Sequence, residues 1–130
     1  MAHRHDVYKY GRFIEHEFKF VGKFGAKGEQ RAEKKKATPE QVEKQNQYNR
    51  EKKVLRKMRY NFEPGDLWIT LKLPKGERLP ADEILKIRDK FFRNLRNVYK
   101  KRERVLKYMY RIEIGERGGI HIHVLVNRLN

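Results

Sequence analysis

From Ile120 to Asn127 aliphatic residues alternate with a different set. Ile120, Ile122, Val124 and Val126 take one parity, and His121, His123, Leu125 and Asn127 the other. A period of two over this length predicts a strand with one buried face. The Ile/Val face needs a cover, and the segment from Pro80 to the run Tyr99–Arg104 carries one. Ile84, Ile87, Phe91, Leu95 and Val98 recur at steps of three and four, a helical stripe suited to packing on a sheet. Pro80 opens that helix, and Asp82 and Glu83 lie in its first turn, where the helix dipole favours acids. Arg88, Arg93, Arg96, Lys100 and Lys101 fall on the opposite face of the stripe.

Two further strands are expected. Asp66 to Leu73 is rich in β-formers and is stopped by Pro74, and about Val105 to Ile114 is joined to the Ile/Val strand by the glycine-containing stretch Gly115–Gly119. Residues 64–130 therefore read as a β-α-β-β core of α+β class. Before it, Thr38-Pro39 with Gln41 three residues after Thr38 forms a capping box with Pro at the first helical position. That predicts a helical arm over 38–63, running from Pro39 to about Tyr60. Residues 1–37 hold one alternating strand, about Arg12 to Phe20, with Phe13, Glu15, Glu17 and Lys19 on one side and Ile14, His16, Phe18 and Phe20 on the other. The stretch Gly22 to Gly28 reads as a flexible connector. Met1 to Tyr10 reads as a polar, mobile terminus, and its His3 and His5 as without a specific role. His16 reads as a strand residue.

The 130 residues carry 33 Lys+Arg against 17 Asp+Glu, a net charge of +16. From Arg31 to Arg59 basic residues outnumber acidic ones eleven to four. A helix this polar buries little of itself, and a surface this positive attracts polyanions. Arg50, Lys53, Arg56, Lys57, Arg93, Arg96, Lys100 and Lys101 are the candidate nucleic-acid contacts. No apolar run approaches the roughly 20 residues that span a bilayer, so no membrane partner is expected. With 0 cysteines, thiolate metal sites and disulfides are excluded, and a reducing, cytoplasmic compartment is compatible.

The polar parity of the last strand sets two imidazoles on one face, roughly 7 Å apart at the backbone. Ile112 and Ile114 share the apolar side of the preceding strand, which leaves Arg111 and Glu113 on the imidazole side. A three-residue loop, Arg117-Gly118-Gly119, would pair Glu113 with His123. Two imidazoles and a carboxylate on one face suit Mg²⁺ or Mn²⁺, with positions left for water and phosphate oxygens.

Ile120-His121-Ile122-His123-Val124-Leu125 resembles the His-hydrophobic-His strand of the HUH endonuclease superfamily. Asp66-Leu67-Trp68-Ile69-Thr70-Leu71 resembles the first strand of its rolling-circle replication initiators, and Glu113 to Gly119 the acidic, Gly-rich approach to the His strand. The likeness covers about Thr38 to Asn127 and is greatest to initiators of Gram-positive bacteria and their mobile elements. It implies a partial ferredoxin-like antiparallel sheet with the His pair on a central strand. It also implies Mg²⁺ or Mn²⁺ held by His121, His123 and Glu113, with Glu116 as the alternative third ligand, and single-stranded or hairpin DNA as substrate, nicked and joined through a tyrosine. In such initiators the tyrosine follows the His strand. Here every tyrosine precedes it, with Tyr8 and Tyr10 as distant second choices for the nucleophile, so the sequence reads as the first half of a longer initiator or as a shortened relative lacking the C-terminal part with the tyrosine, expected to bind DNA and metal and to nick poorly or not at all. Asn127 stands where relaxases have a third His. An open sheet edge makes a strand-exchanged homodimer plausible. The rival reading is a non-catalytic basic nucleic-acid-binding protein, or an HUH-like fold used only as an inhibitor or decoy.

Overall fold

The computed structural model describes residues 2–21, 28, 35–74 and 76–129. The chain forms two compact units, Met1–Tyr60 and Asn61–Asn130. Most of the Gly22–Gly28 connector lies outside the described residues.

In the first unit, β1 (Ala2–Tyr10) and β2 (Phe13–Val21) form an antiparallel hairpin, followed by α1 (Pro39–Asn61). The sequence reading of Met1 to Tyr10 as a mobile terminus is corrected here. Ala2–Tyr10 is the partner strand of β2, paired from Ala2–Val21 to Tyr10–Phe13. Its alternation joins two polar or mixed faces, so no apolar parity betrays it. The turn is made at Gly11, in the left-handed region at φ 54°. The β2 parity is as expected. α1 starts on the capping box: the Gln41 N–H donates to Thr38 Oγ1 (3.2 Å) and the Thr38 N–H to Gln41 Oε1 (3.0 Å). None of its residues is buried.

The second unit is β3 (Leu67–Lys72), α2 (Ala81–Lys101), β4 (Tyr108–Ile114) and β5 (Ile120–Val126). The β-α-β-β order and α+β class are those expected, and the antiparallel sheet is compatible with a partial ferredoxin-like fold. Its strand order is β3-β5-β4, so the strand bearing the two histidines is central. Ile122, Val124 and Val126 are buried against Ile84, Phe92 and Tyr99 of α2, with Val124 fully enclosed at 0% exposure.

The helix turns differently from the expected stripe. Ile87 and Val98 are exposed, and the buried line is Ile84, Phe92 and Tyr99, flanked by Phe91 and Leu95. Steps of eight and seven also follow the 3.6-residue period. Aromatic packing selects this line, because Phe92 stacks on Tyr108 at 4.1 Å and the Tyr99 hydroxyl donates to the Asn127 carbonyl. Arg88 consequently moves to the core edge, where Nη1 donates to the Tyr110 hydroxyl at 2.9 Å.

The hairpin register is also corrected. Ile114 pairs with Ile120 and Glu113 with His121, so Arg111, not Glu113, faces His123 across the ladder. The loop is Glu116-Arg117-Gly118, closed by the Gly118 N–H donating to the Gly115 carbonyl and the Gly115 N–H to the Gly119 carbonyl, both at 2.8 Å. Gly118 supplies the left-handed residue (φ 74°) that a three-residue hairpin loop places last. The shift moves the pairing by two residues, so every side chain keeps its face. Among the described residues, no helix is long and apolar enough to cross a membrane.

Candidate functional site

The face of the β3-β5-β4 sheet turned away from α2 is open, apolar at one end and polar along the rest. Ladder pairing sets its rows: Trp68–Leu125–Met109, Thr70–His123–Arg111 and Lys72–His121–Glu113. The alternation of β5 drives this arrangement, since burying the Ile/Val parity turns the other parity outward.

His123 is at the centre. Its Nε2 lies 2.8 Å from Glu113 Oε2, and its Nδ1 lies 3.1 Å from Thr70 Oγ1. An ionised carboxylate only accepts, so Nε2 carries a proton and donates to Glu113. In the neutral ring Nδ1 then accepts from the Thr70 hydroxyl. Trp68 stacks on the same imidazole, with centroids 5.8 Å apart and planes 12° from parallel, and is itself 63% exposed. The His121 ring stands edge-on to His123 at 6.1 Å.

The three expected ligands thus share a face. Two of them, His123 and Glu113, meet directly, while among the described residues no group of three His, Cys, Asp or Glu side chains is already gathered as a metal site. In kind, the donors fit a hard divalent cation: imidazole nitrogen, carboxylate oxygen and an open side for water or phosphate. His121, His123 and Glu113 would be the residues to hold it. Glu116 sits in the hairpin loop. Asn127, expected on the imidazole face, is used otherwise. Its side chain accepts from the Lys107 N–H (2.7 Å) and donates to the Val105 carbonyl (3.0 Å), fastening the chain that enters β4.

The candidate basic residues fall into three settings. Arg93, Arg96, Lys100 and Lys101 are exposed on α2, on the other side of the sheet from His121 and His123. On α1, Arg50 pairs with Glu43 at 2.7 Å and Lys53 is exposed, and Lys57 belongs to the same helix. Arg56 is committed inside the first unit: Nη2 meets Glu17 at 2.7 Å and Glu15 at 3.2 Å, and its guanidinium lies 3.7 Å above the Tyr8 ring. Lys52 also pairs with Glu17, and Arg59 with Glu15. Burial would raise the Glu15 carboxyl, but the hydrogen bond and charge of Arg56, helped by Tyr10 and Arg59, take it below the usual carboxylate range.

Of the tyrosines, Tyr10 is buried and donates to Glu15, and burial pushes its phenol up. Tyr8 lies under Arg56. Tyr99, Tyr108 and Tyr110 belong to the helix-facing side of their unit, in contact with the core or with Phe92.

Trp68, Thr70 and Lys72 join the site; Trp68 and Thr70 lie in the run that resembles the initiators' first strand, but none of the three is expected from the sequence as a site residue. Their signal is the period of two along Leu67–Lys72, which sets these three on one parity. What the sequence lacks is the pairing of β3 with β5, a contact between distant segments.

A family model for a replication-associated protein, ORF2, matches residues 66–130. No curated protein and no solved structure matches the chain.

Proposed function

The chain belongs to the replication-associated protein ORF2 family, and from that premise we propose that it is a replication-initiator-like protein whose open sheet face binds single-stranded or hairpin DNA around a divalent-metal site of HUH type. The observation that carries the reading is the convergence of His123 and Glu113 at 2.8 Å on the face that also bears His121. Mg²⁺ or Mn²⁺ would be held by His121, His123 and Glu113, and when bound it would supply Lewis-acid polarisation of a phosphate oxygen.

The chain's own residues do the rest. Lys72 and Arg111 flank the imidazoles and neutralise neighbouring phosphates. Thr70 holds the His123 ring in one orientation. Trp68 offers a π-face to a base beside the phosphate. The exposed cations of α2 extend the electrostatic grip on the other side of the sheet. Because Tyr99, Tyr108 and Tyr110 all belong to the helix side, the face presents no tyrosine of its own unit, and its part is to bind and orient DNA. β3 and β4 each have one neighbouring strand among the described residues, which supports pairing with a second copy.

The test is Mn²⁺ titration of the whole chain followed by calorimetry, beside His121→Ala with His123→Ala. The double substitution should abolish the tight site, and equal affinity in both proteins would sink the metal reading. Incubation with an oligonucleotide in Mn²⁺ should leave no covalent adduct. One observation favours a second reading, a metal-independent DNA binder: Thr70 and Glu113 already satisfy both ring nitrogens of His123. On that reading the double substitution changes neither metal nor DNA affinity.

A further inference from the structure

The outer face of the β1–β2 hairpin is unusual for a surface in water. β2 turns Ile14, His16, Phe18 and Phe20 to this side, and Phe18 and Phe20 are 70% and 66% exposed. The strand opposite sets imidazoles against them. His5 stacks on Phe18, with centroids 4.3 Å apart and planes 6° from parallel. His3 meets Phe20 edge-on at 5.9 Å. His5 also stacks on His16 at 5.1 Å, with Nε2 and Nδ1 2.9 Å apart. The rings form a nearly continuous aromatic surface.

Its charge is segregated as well. The hairpin's three carboxylates, Asp6, Glu15 and Glu17, all belong to the opposite parity. There Arg4 and Lys19 pair with Asp6, and Lys52, Arg56 and Arg59 pair with Glu15 and Glu17. The outer face therefore carries aromatic rings, imidazoles, the aliphatic Val7 and Ile14, and Lys9, with no anion. A surface rich in π-faces and cleared of negative charge, on a chain of net charge +16, complements a polyanion that itself carries exposed π-faces. That combination describes single-stranded nucleic acid, whose bases stack on aromatic side chains while its phosphates are drawn by cations.

We infer that the outer face of this hairpin is a base-stacking platform for single-stranded nucleic acid, with Phe18 and Phe20 as its anchors and His3, His5 and His16 as supporting rings. It rests on the reading of the chain as DNA-binding, but its residues lie outside the span matched to the family. It would be a second contact, separate from the His121/His123 face.

The experiment uses the full chain with Phe18→Ala and Phe20→Ala together, and Phe18→Tyr with Phe20→Tyr as the conservative pair. Fluorescence anisotropy reads affinity for labelled oligothymidylate and oligouridylate, which separates DNA from RNA. Heparin, a polyanion without bases, reports charge alone. The alanine pair should weaken oligonucleotide binding at least about tenfold, the size expected from losing one or two stacked bases, and leave heparin binding unchanged. The tyrosine pair should keep its affinity. Should the alanine pair fail to fold, the Phe18 and Phe20 ring resonances of the unaltered chain decide, since stacked bases must shift them. Equal loss for oligonucleotide and heparin, or no loss in either, overturns the proposal. So does a change confined to binding of phosphatidylserine vesicles or to self-association. The two sites fail separately: His121→Ala with His123→Ala leaves the Phe18/Phe20 effect intact even if the metal reading is wrong.

Discussion

Glu113 reaches past its own ladder partner. It pairs with His121 across β4 and β5, yet its Oε2 lies 2.8 Å from Nε2 of His123. Diagonal contacts of this kind are within reach of long side chains on an antiparallel face. Here the carboxylate takes Nε2 and leaves Nδ1 to the Thr70 hydroxyl, so the two side chains hold the central imidazole between them.

If Glu113 is the third ligand, its charge matters more than its shape. Glu113→Gln keeps a hydrogen-bonding group beside His123 and removes the anion. We expect Mn²⁺ affinity to fall about tenfold or more, read by titration calorimetry. Affinity equal to that of the unaltered chain would remove Glu113 from the ligand set.

Thr70→Val tests orientation of the ring without touching a ligand. The hydroxyl is replaced by a methyl of similar size on a half-open surface, so the cost in stability should be small, about 0.5–1.5 kcal/mol for one hydrogen bond. The ¹⁵N resonances of His123 should show a mixed tautomer where the unaltered chain shows one. An unchanged tautomer would mean that Glu113 alone suffices.

Val124 is the pivot of the packed unit. At 0% exposure it has no room for compensation, and Val124→Ala should cost about 2–3 kcal/mol, read as a lower urea midpoint with an unchanged slope. A loss under about 0.5 kcal/mol would contradict the placement of the core between β5 and α2.

Acid should loosen the first unit through Glu15. Its carboxyl is held below the ordinary 4.5 in the folded chain. A depressed carboxylate contributes stability that is complete above the unfolded value and lost as pH falls through the folded one. Amide exchange in β1 and β2 should therefore accelerate as pH drops below 4.5, after correction for intrinsic rates. Glu15→Gln should flatten that dependence. An identical acid profile in both proteins would deny Glu15 this role.

Local signals carry much of this architecture. Thr38 and Gln41 announce the start of α1 because a capping box satisfies its own donors within one turn. The parity of Ile120 to Val126 announces which face of β5 is buried. What escapes the sequence are the features decided by contacts between distant segments. β1 has no apolar parity of its own, and only pairing with β2 reveals it. Two stripes on α2 obey the same period, and Phe92 and Tyr99 win through rings and a hydroxyl that meet β4 and Asn127. The ladder register differs from the expected one by two residues, and such a slip leaves every face unchanged. That is why His121, His123 and Glu113 reach the same surface despite the different pairing.

The position of β5 between two neighbours has a mechanical meaning. A strand held on both sides opens only with the whole sheet, so His121 and His123 stand on the stiffest backbone of their unit. Glu113 stands on β4, at the rim, and reaches inward along a flexible side chain. On the metal-binding reading, the imidazoles would locate the cation and the carboxylate would take up the difference in size.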